Sequence, residues 1–166
     1  LLALKPRLLE KYSRYMIDYH FQFFSDAHNL LVNWYYGDAV YAPLYYGYGG
    51  PDEYADRRQL ARSYDAKVMK MAPDTVLVLL KAAPEVIRRR MSENPHPKCI
   101  LTEADVERVL RLFDEEYLRT GIRLKFDLDT SQSTPESTFE EFLGKIDPLL
   151  NERDRLALLT PGRLAG

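Results

Sequence analysis

Apolar side chains recur at three- and four-residue steps through Leu8, Tyr12, Tyr15, Tyr19 and Phe23, which predicts a helix over residues 8–24. Pro6 suits its first turn, where a missing N–H costs nothing. Aromatic residues lie almost all round this helix, so it is expected to be buried or to line a pocket. The short apolar run His28–Trp34 (HNLLVNW) reads as a strand. Residues 35–51 are dense in Tyr, Gly and Pro and read as a loop, with a helical turn near Asp38–Tyr41. A helical pattern returns over 52–71 through Tyr54, Leu60, Tyr64 and Val68.

Pro73-Asp74 punctuates the chain. Thr75–Leu80 (TVLVLL) is a continuous β-rich apolar run, as expected of a central strand covered on both faces. Pro84 opens a helix over 84–92, and the two prolines of residues 93–101 mark a loop. Thr102 with Asp105 three residues later predicts a capped helix start. Val106, Val109, Leu110, Phe113 and Tyr117 form its apolar stripe, and Gly121 ends it. Leu124–Leu128 (LKFDL) reads as a third strand. Thr134-Pro135-Glu136 starts a last helix, with Phe139, Phe142, Leu143 and Ile146 on one face to about 147. The alternation of strands and helices predicts an α/β fold with a mainly parallel sheet over 1–150. The polar tail, 151–166, is expected to be peripheral.

Composition narrows the class. A chain of 166 residues with 46% hydrophobic and 29% charged residues is in the range of one soluble globular domain. A net charge of −2 gives no global field toward nucleic acid or membrane, so any phosphate binding must come from local Arg clusters. The single cysteine, Cys99, excludes an internal disulfide framework and fits a reducing cytoplasm. No apolar run reaches the roughly 18 residues of a membrane span. No uninterrupted apolar segment follows Lys5 and Arg7, so no secretory leader is expected. His20, His28 and His96 are scattered, with no metal-ligand spacing.

Candidate chemistry is local. No G-x-x-x-x-G-K-[ST] occurs, and Gly47-Tyr48-Gly49-Gly50 is followed by no Lys or Ser/Thr, so it reads as a turn rather than a phosphate cradle. The run from 73 to 140 holds Pro73-Asp74, Pro84-Glu85-Val86 with Arg90, a loop over 92–102, Tyr117, and Asp129-Thr130 before the last helix. In that order these features resemble the carboxy-terminal portion of the thymidylate kinase and deoxynucleoside kinase group of P-loop kinases, over residues 8–147. The resemblance implies a partial P-loop NTPase fold. Two strands are expected upstream of Leu1, one of them leading into the phosphate loop. That strand is expected between 29–34 and 75–80, leaving a slot in the sheet. ATP and Mg are implied for the intact parent, with no tight ATP binding by this chain alone.

The resemblance also suggests roles. Phosphoryl transfer needs positive charge and positioning, which the planar fork of Arg supplies. Arg90 matches the family's arginine at the end of its helix. Arg88 and Arg89 either join it or serve the helix dipole and the solvated surface. Glu93 and Asn94 stand where a lid arginine is usual, so Lys98 is the substitute. Asp129 and Thr130 fall near the expected adenine position. Asn33-Trp34 replaces the usual acidic-Arg pair, leaving Asp38 as the nearest carboxylate. Asp38 either engages an acceptor hydroxyl or caps the turn 38–41. Trp34, Tyr35 and Tyr41 either stack on a planar base or pack within a tyrosine-rich loop. Gln22 suits a base edge, and Arg58 is one of three arginines placed for an acceptor phosphate or a solvated face. The expected substrate is a nucleoside or nucleoside monophosphate. The alternatives are a kinase of another small acceptor and a non-catalytic module whose Tyr-rich loop binds a partner. A homodimer is a further expectation.

Overall fold

A computed structural model describes residues 4–24, 29–97 and 99–159. The chain is mixed α/β, dominated by helices around one small parallel sheet. Helix α1 spans Pro6–His20, with Pro6 in its first turn, and runs on into a 3-10 turn at Phe21–Phe23. Helix α2 spans Trp34–Tyr41 and widens into one turn of π-helix over Ala42–Tyr46. Gly47, with φ +69°, stops it in the left-handed conformation that glycine adopts at least cost.

Helix α3 spans Arg57–Met71. It begins later than the sequence pattern suggests because Asp56 caps it. The Asp56 carboxylate accepts from the N–H groups of Arg58 at 2.9 Å and Gln59 at 3.1 Å. Such a cap contributes about 1 kcal/mol. These three helices form the main core. Ile17 and Phe21 of the first segment pack with Tyr35 and Ala39 of α2, and with Ala61, Tyr64 and Val68 of α3. Each fully buried apolar side chain contributes about 1.5–3 kcal/mol.

Strand β1 (Val76–Lys81) pairs in parallel with β2 (Leu124–Asp129), Val76 opposite Leu124 and Lys81 opposite Asp129. The crossover carries α4 (Pro84–Glu93), a loop, a 3-10 turn at Glu103–Asp105, and α5 (Val106–Arg119). Helix α6 (Pro135–Ile146) starts with a reciprocal cap between Thr134 and Ser137 and lays Phe142 against Phe126 of β2. Helix α7 (Glu152–Leu159) is largely exposed and held near Asp74 by the Asn151 side-chain amide at 2.9 Å. No helix is long and apolar enough to cross a membrane among the described residues.

Four expectations need correction. Residues 29–33 form no strand, so among the described residues the sheet has two strands and not three. Asn33 (φ +62°) and Trp34 (φ +35°) leave the extended region, and Leu30 and Val32 stay exposed. The indole N–H of Trp34 instead donates to the Ile17 carbonyl at 3.2 Å, and its ring packs on Phe21 and Phe24. Aromatic packing on α1 therefore wins over extended pairing. Second, most of the stretch taken as a loop is helical, from Trp34 to Tyr46. Third, the stripe Leu8, Tyr12, Tyr15, Tyr19, Phe23 faces outward, with Tyr15 63% exposed. The buried face of α1 is Leu9, Glu10 and Ile17. Fourth, Thr102 donates to the Asp105 carboxylate at 2.7 Å rather than capping backbone N–H groups, and α5 starts only at Val106.

Candidate functional site

Ligands of parallel sheets bind outside the carboxy ends of the strands. Here those ends are Lys81 of β1 and Asp129 of β2. The segment after β2 folds back over β1. The Thr130 N–H and hydroxyl both donate to the Lys81 carbonyl, at 2.8 and 2.9 Å. Ser131 Oγ accepts the Ala83 N–H at 2.8 Å, and the Ser131 N–H donates to Asp129 Oδ1 at 2.8 Å. Hydrogen bonding from the Ser131 side chain, and then from its backbone N–H, holds the exposed Asp129 carboxyl below the usual carboxylate range.

Arg90 joins this junction from the last turns of α4. Its Nη1 donates to Thr130 Oγ1 at 3.0 Å and its Nη2 to the Thr130 carbonyl at 2.5 Å. A forked guanidinium thus clamps the turn and keeps its charge at the sheet's carboxy end. Lys81 Nζ lies 3.4 Å from Asp114 and 3.6 Å from Asp127. Burial works against its charge, but Asp114 and Asp127 outweigh it and hold the ammonium above its ordinary range.

Arg90, Asp129 and Thr130 are therefore brought together. Arg89 is exposed, near Glu93 at 3.9 Å, and Arg88 turns to Glu107 at 2.8 Å. Lys98 lies outside the described residues.

A second charged cluster lies under the Gly47–Gly50 turn. Arg57 is buried, with Nε 2.9 Å from Asp38 Oδ2 and Nη2 3.3 Å from Glu10 Oε1. The Nε contact is off the line of its N–H, and Nη1 is buried without a hydrogen-bond partner. Arg57 Nη2 also donates to the Glu10 carbonyl at 3.2 Å. Arg14 closes the chain of charges, its Nε donating to Glu10 Oε1 at 2.9 Å. The Tyr48 hydroxyl donates to Asp38 at 3.0 Å, and burial pushes that phenol up to about 12. Burial also raises the Asp38 carboxyl, against the pull of Arg57 and Tyr48. The turn is shaped around the guanidinium: at Gly49, φ is +77°, and a Cβ would overlap Arg57 Cγ.

This geometry removes Asp38 from the acceptor role. It sits within α2, pairs with Arg57 and caps no turn. Tyr35 is equally occupied: it is buried, and its hydroxyl donates to Asp65 at 2.9 Å. Trp34 is held by Phe21 and Phe24. Neither presents a face for a base. Tyr41 is half-buried, edge-on to Phe113 at 5.5 Å. Gln22 is exposed on the 3-10 turn after α1. Arg58 is engaged by Glu115 at 3.1 Å and Glu116 at 3.4 Å. These residues do not converge on one pocket.

The two regions are linked by α5, where Phe113 touches Tyr41 of α2 and the adjacent Asp114 faces Lys81 of β1. Sequence reasoning missed Glu10 and Lys81, and it named Arg57 only as one of three arginines for an acceptor phosphate or a solvated face. Glu10 had a readable signal, since it shares a helical stripe with Ser13, Ile17 and Phe21. Lys81 and Arg57 had none beyond ending a strand and starting a helix. No group of three or more His, Cys, Asp or Glu among the described residues could hold a metal ion. Comparison with known proteins returns no matching family model, no matching curated protein and no matching solved structure.

Proposed function

We propose that this chain is the carboxy-terminal portion of an ATP-dependent kinase acting on a nucleoside or nucleoside monophosphate. The partial P-loop NTPase fold belongs to the same proposal. The observation that carries it is Arg90, fixed by both Nη groups to Thr130 at the carboxy end of a parallel sheet. A fixed guanidinium there meets the need of phosphoryl transfer for preorganised positive charge. The resemblance implies a lid over 92–102, after Arg90.

The glycine-rich turn of this chain is not read as a cradle for Mg-ATP. The Gly47–Gly50 turn encloses Arg57 rather than presenting free N–H groups with a Lys and a hydroxyl. On this reading the cradle comes from polypeptide outside this sequence, and no step is assigned to it here.

The test is a phosphoryl-transfer assay on the intact parent with a panel of nucleosides and nucleoside monophosphates, with and without Arg90→Ala. Arg90→Ala is expected to lower kcat/KM by about 100-fold, the scale of losing one preorganised donor. Absence of transfer to every member of the panel, or indifference to Arg90→Ala, overturns the reading. Isothermal titration of this chain alone with Mg-ATP is expected to show no micromolar binding. A second reading, a kinase of a different small acceptor, is favoured by the burial of Tyr35 and the packing of Trp34 on Phe21 and Phe24. Transfer to a non-nucleoside alcohol alone would select it.

A further inference from the structure

The opposite end of the sheet carries a different constellation. A cleft of about 300 Å³ opens between α3, the end of α5 and the entry to β2. Arg62, Arg119 and Arg123 line it, with Ala66 and Met69 as an apolar wall and Asp65 as its acidic member. Arg123 precedes β2 and Thr130 follows it. A six-residue strand separates them, about 20 Å at the usual rise, so this cleft is distinct from the Arg90 junction.

The charges in the cleft are not equally committed. Asp65 is turned inward and saturated: Oδ1 accepts from Tyr35 at 2.9 Å and Tyr36 at 2.6 Å, and Oδ2 from the Gly121 N–H at 2.9 Å. Arg62 donates Nη2 to Glu116 at 2.7 Å and holds Nε 3.5 Å from Asp65, while its Nη1 is buried without a hydrogen-bond partner. Arg119 reaches only Glu115, at 3.6 Å, and is more than half exposed. Arg123 is exposed and in no ion pair among the described residues. Two guanidinium groups therefore remain available at the rim, beside an apolar wall. Guanidinium forks match phosphate oxygens in pairs, and the volume is at the small end of ligand pockets.

We propose that this cleft binds a small organic phosphate, its phosphate between Arg119 and Arg123 and its apolar part against Ala66 and Met69. The site is independent of the kinase reading and of Arg90. The probes are phenyl phosphate and inorganic phosphate, titrated into the full chain at constant ionic strength. Phenyl phosphate is expected to bind saturably, and more tightly than inorganic phosphate because its ring covers the wall. Arg119→Ala and Arg123→Ala are each expected to weaken it about tenfold, corresponding to about 1.4 kcal/mol. Both side chains are exposed, so both variants are expected to fold. Amide NMR is expected to show the Ala66 and Gly121 signals moving with phenyl phosphate and Arg90→Ala leaving its affinity unchanged. No saturable binding, undiminished affinity in Arg119→Ala and Arg123→Ala, or loss of binding in Arg90→Ala overturns the proposal.

Discussion

Replacing Arg57 by Met keeps most of its volume and removes its charge. The side chains of Arg57 and Glu10 are each 1% exposed, and that of Asp38 is 9% exposed. After the substitution Glu10 still has Arg14, but Asp38 is left with the Tyr48 hydroxyl alone. Breaking a buried pair from one side costs about 3–5 kcal/mol, because a charge stays buried without compensation. Arg57 also stacks on Tyr48, with its guanidinium carbon 4.9 Å from the ring centroid, a contact that Met only partly replaces. The expected loss is about 3–5 kcal/mol, a large share of the roughly 5–15 kcal/mol of a typical domain. Urea unfolding followed by far-ultraviolet circular dichroism measures it as a fall in midpoint at constant slope. Adding Asp38→Asn to Arg57→Met removes the stranded charge and is expected to recover more than about 1 kcal/mol as a coupling energy. A loss below about 1 kcal/mol, or no recovery in the double variant, refutes the claim that this ion cluster fixes the turn to the helices.

Gly49→Ala meets both a positive φ and the Arg57 stem, and is expected to cost about 2–4 kcal/mol in the same unfolding assay. The raised Asp38 carboxyl sets a pH dependence. Because the folded state holds this proton above the ordinary value of 3.8, Asp38 contributes most below it and loses that contribution as pH rises through the folded-state value. The unfolding free energy of the wild type relative to Asp38→Asn is therefore expected to improve as pH is lowered from 7 toward 4. A flat or inverted difference refutes the assignment.

How far the sequence could be read depended on whether a segment's fate was local. The runs Thr75–Leu80 and Leu124–Leu128 locate the strands to within a residue, the first because a continuous β-rich apolar run has few other uses and the second because Leu124, Phe126 and Leu128 alternate with Lys125 and Asp127. Thr134-Pro135 places α6 for the same kind of reason, a cap made by near neighbours. Residues 29–34 misled because Leu30 and Val32 look like strand residues, while Trp34 is decided by the distant Ile17, Phe21 and Phe24. Asp38 misled for a related reason. Proximity in sequence to an expected strand end suggested an open carboxylate, but Arg57 and Tyr48 close on it across the helix pair. Arg90 and Thr130 were each singled out by the resemblance alone, and their contact had no local signal, because 40 residues separate them.

The pairing of Val76 with Leu124 has a consequence for how the chain reaches its fold. The core of α1 to α3 also takes in Ile122, just before β2, so it is not closed until the end of α5 has been made. The run VLVLLK then waits for α4, the loop and α5 to be made before β2 exists to receive it. Closing that span is slow relative to forming the helices. During synthesis there is thus an interval in which an incomplete helical core is followed by an unpaired apolar ribbon, the kind of segment that aggregates or recruits chaperones. Core and sheet therefore close together, when residues 122–129 are available to both.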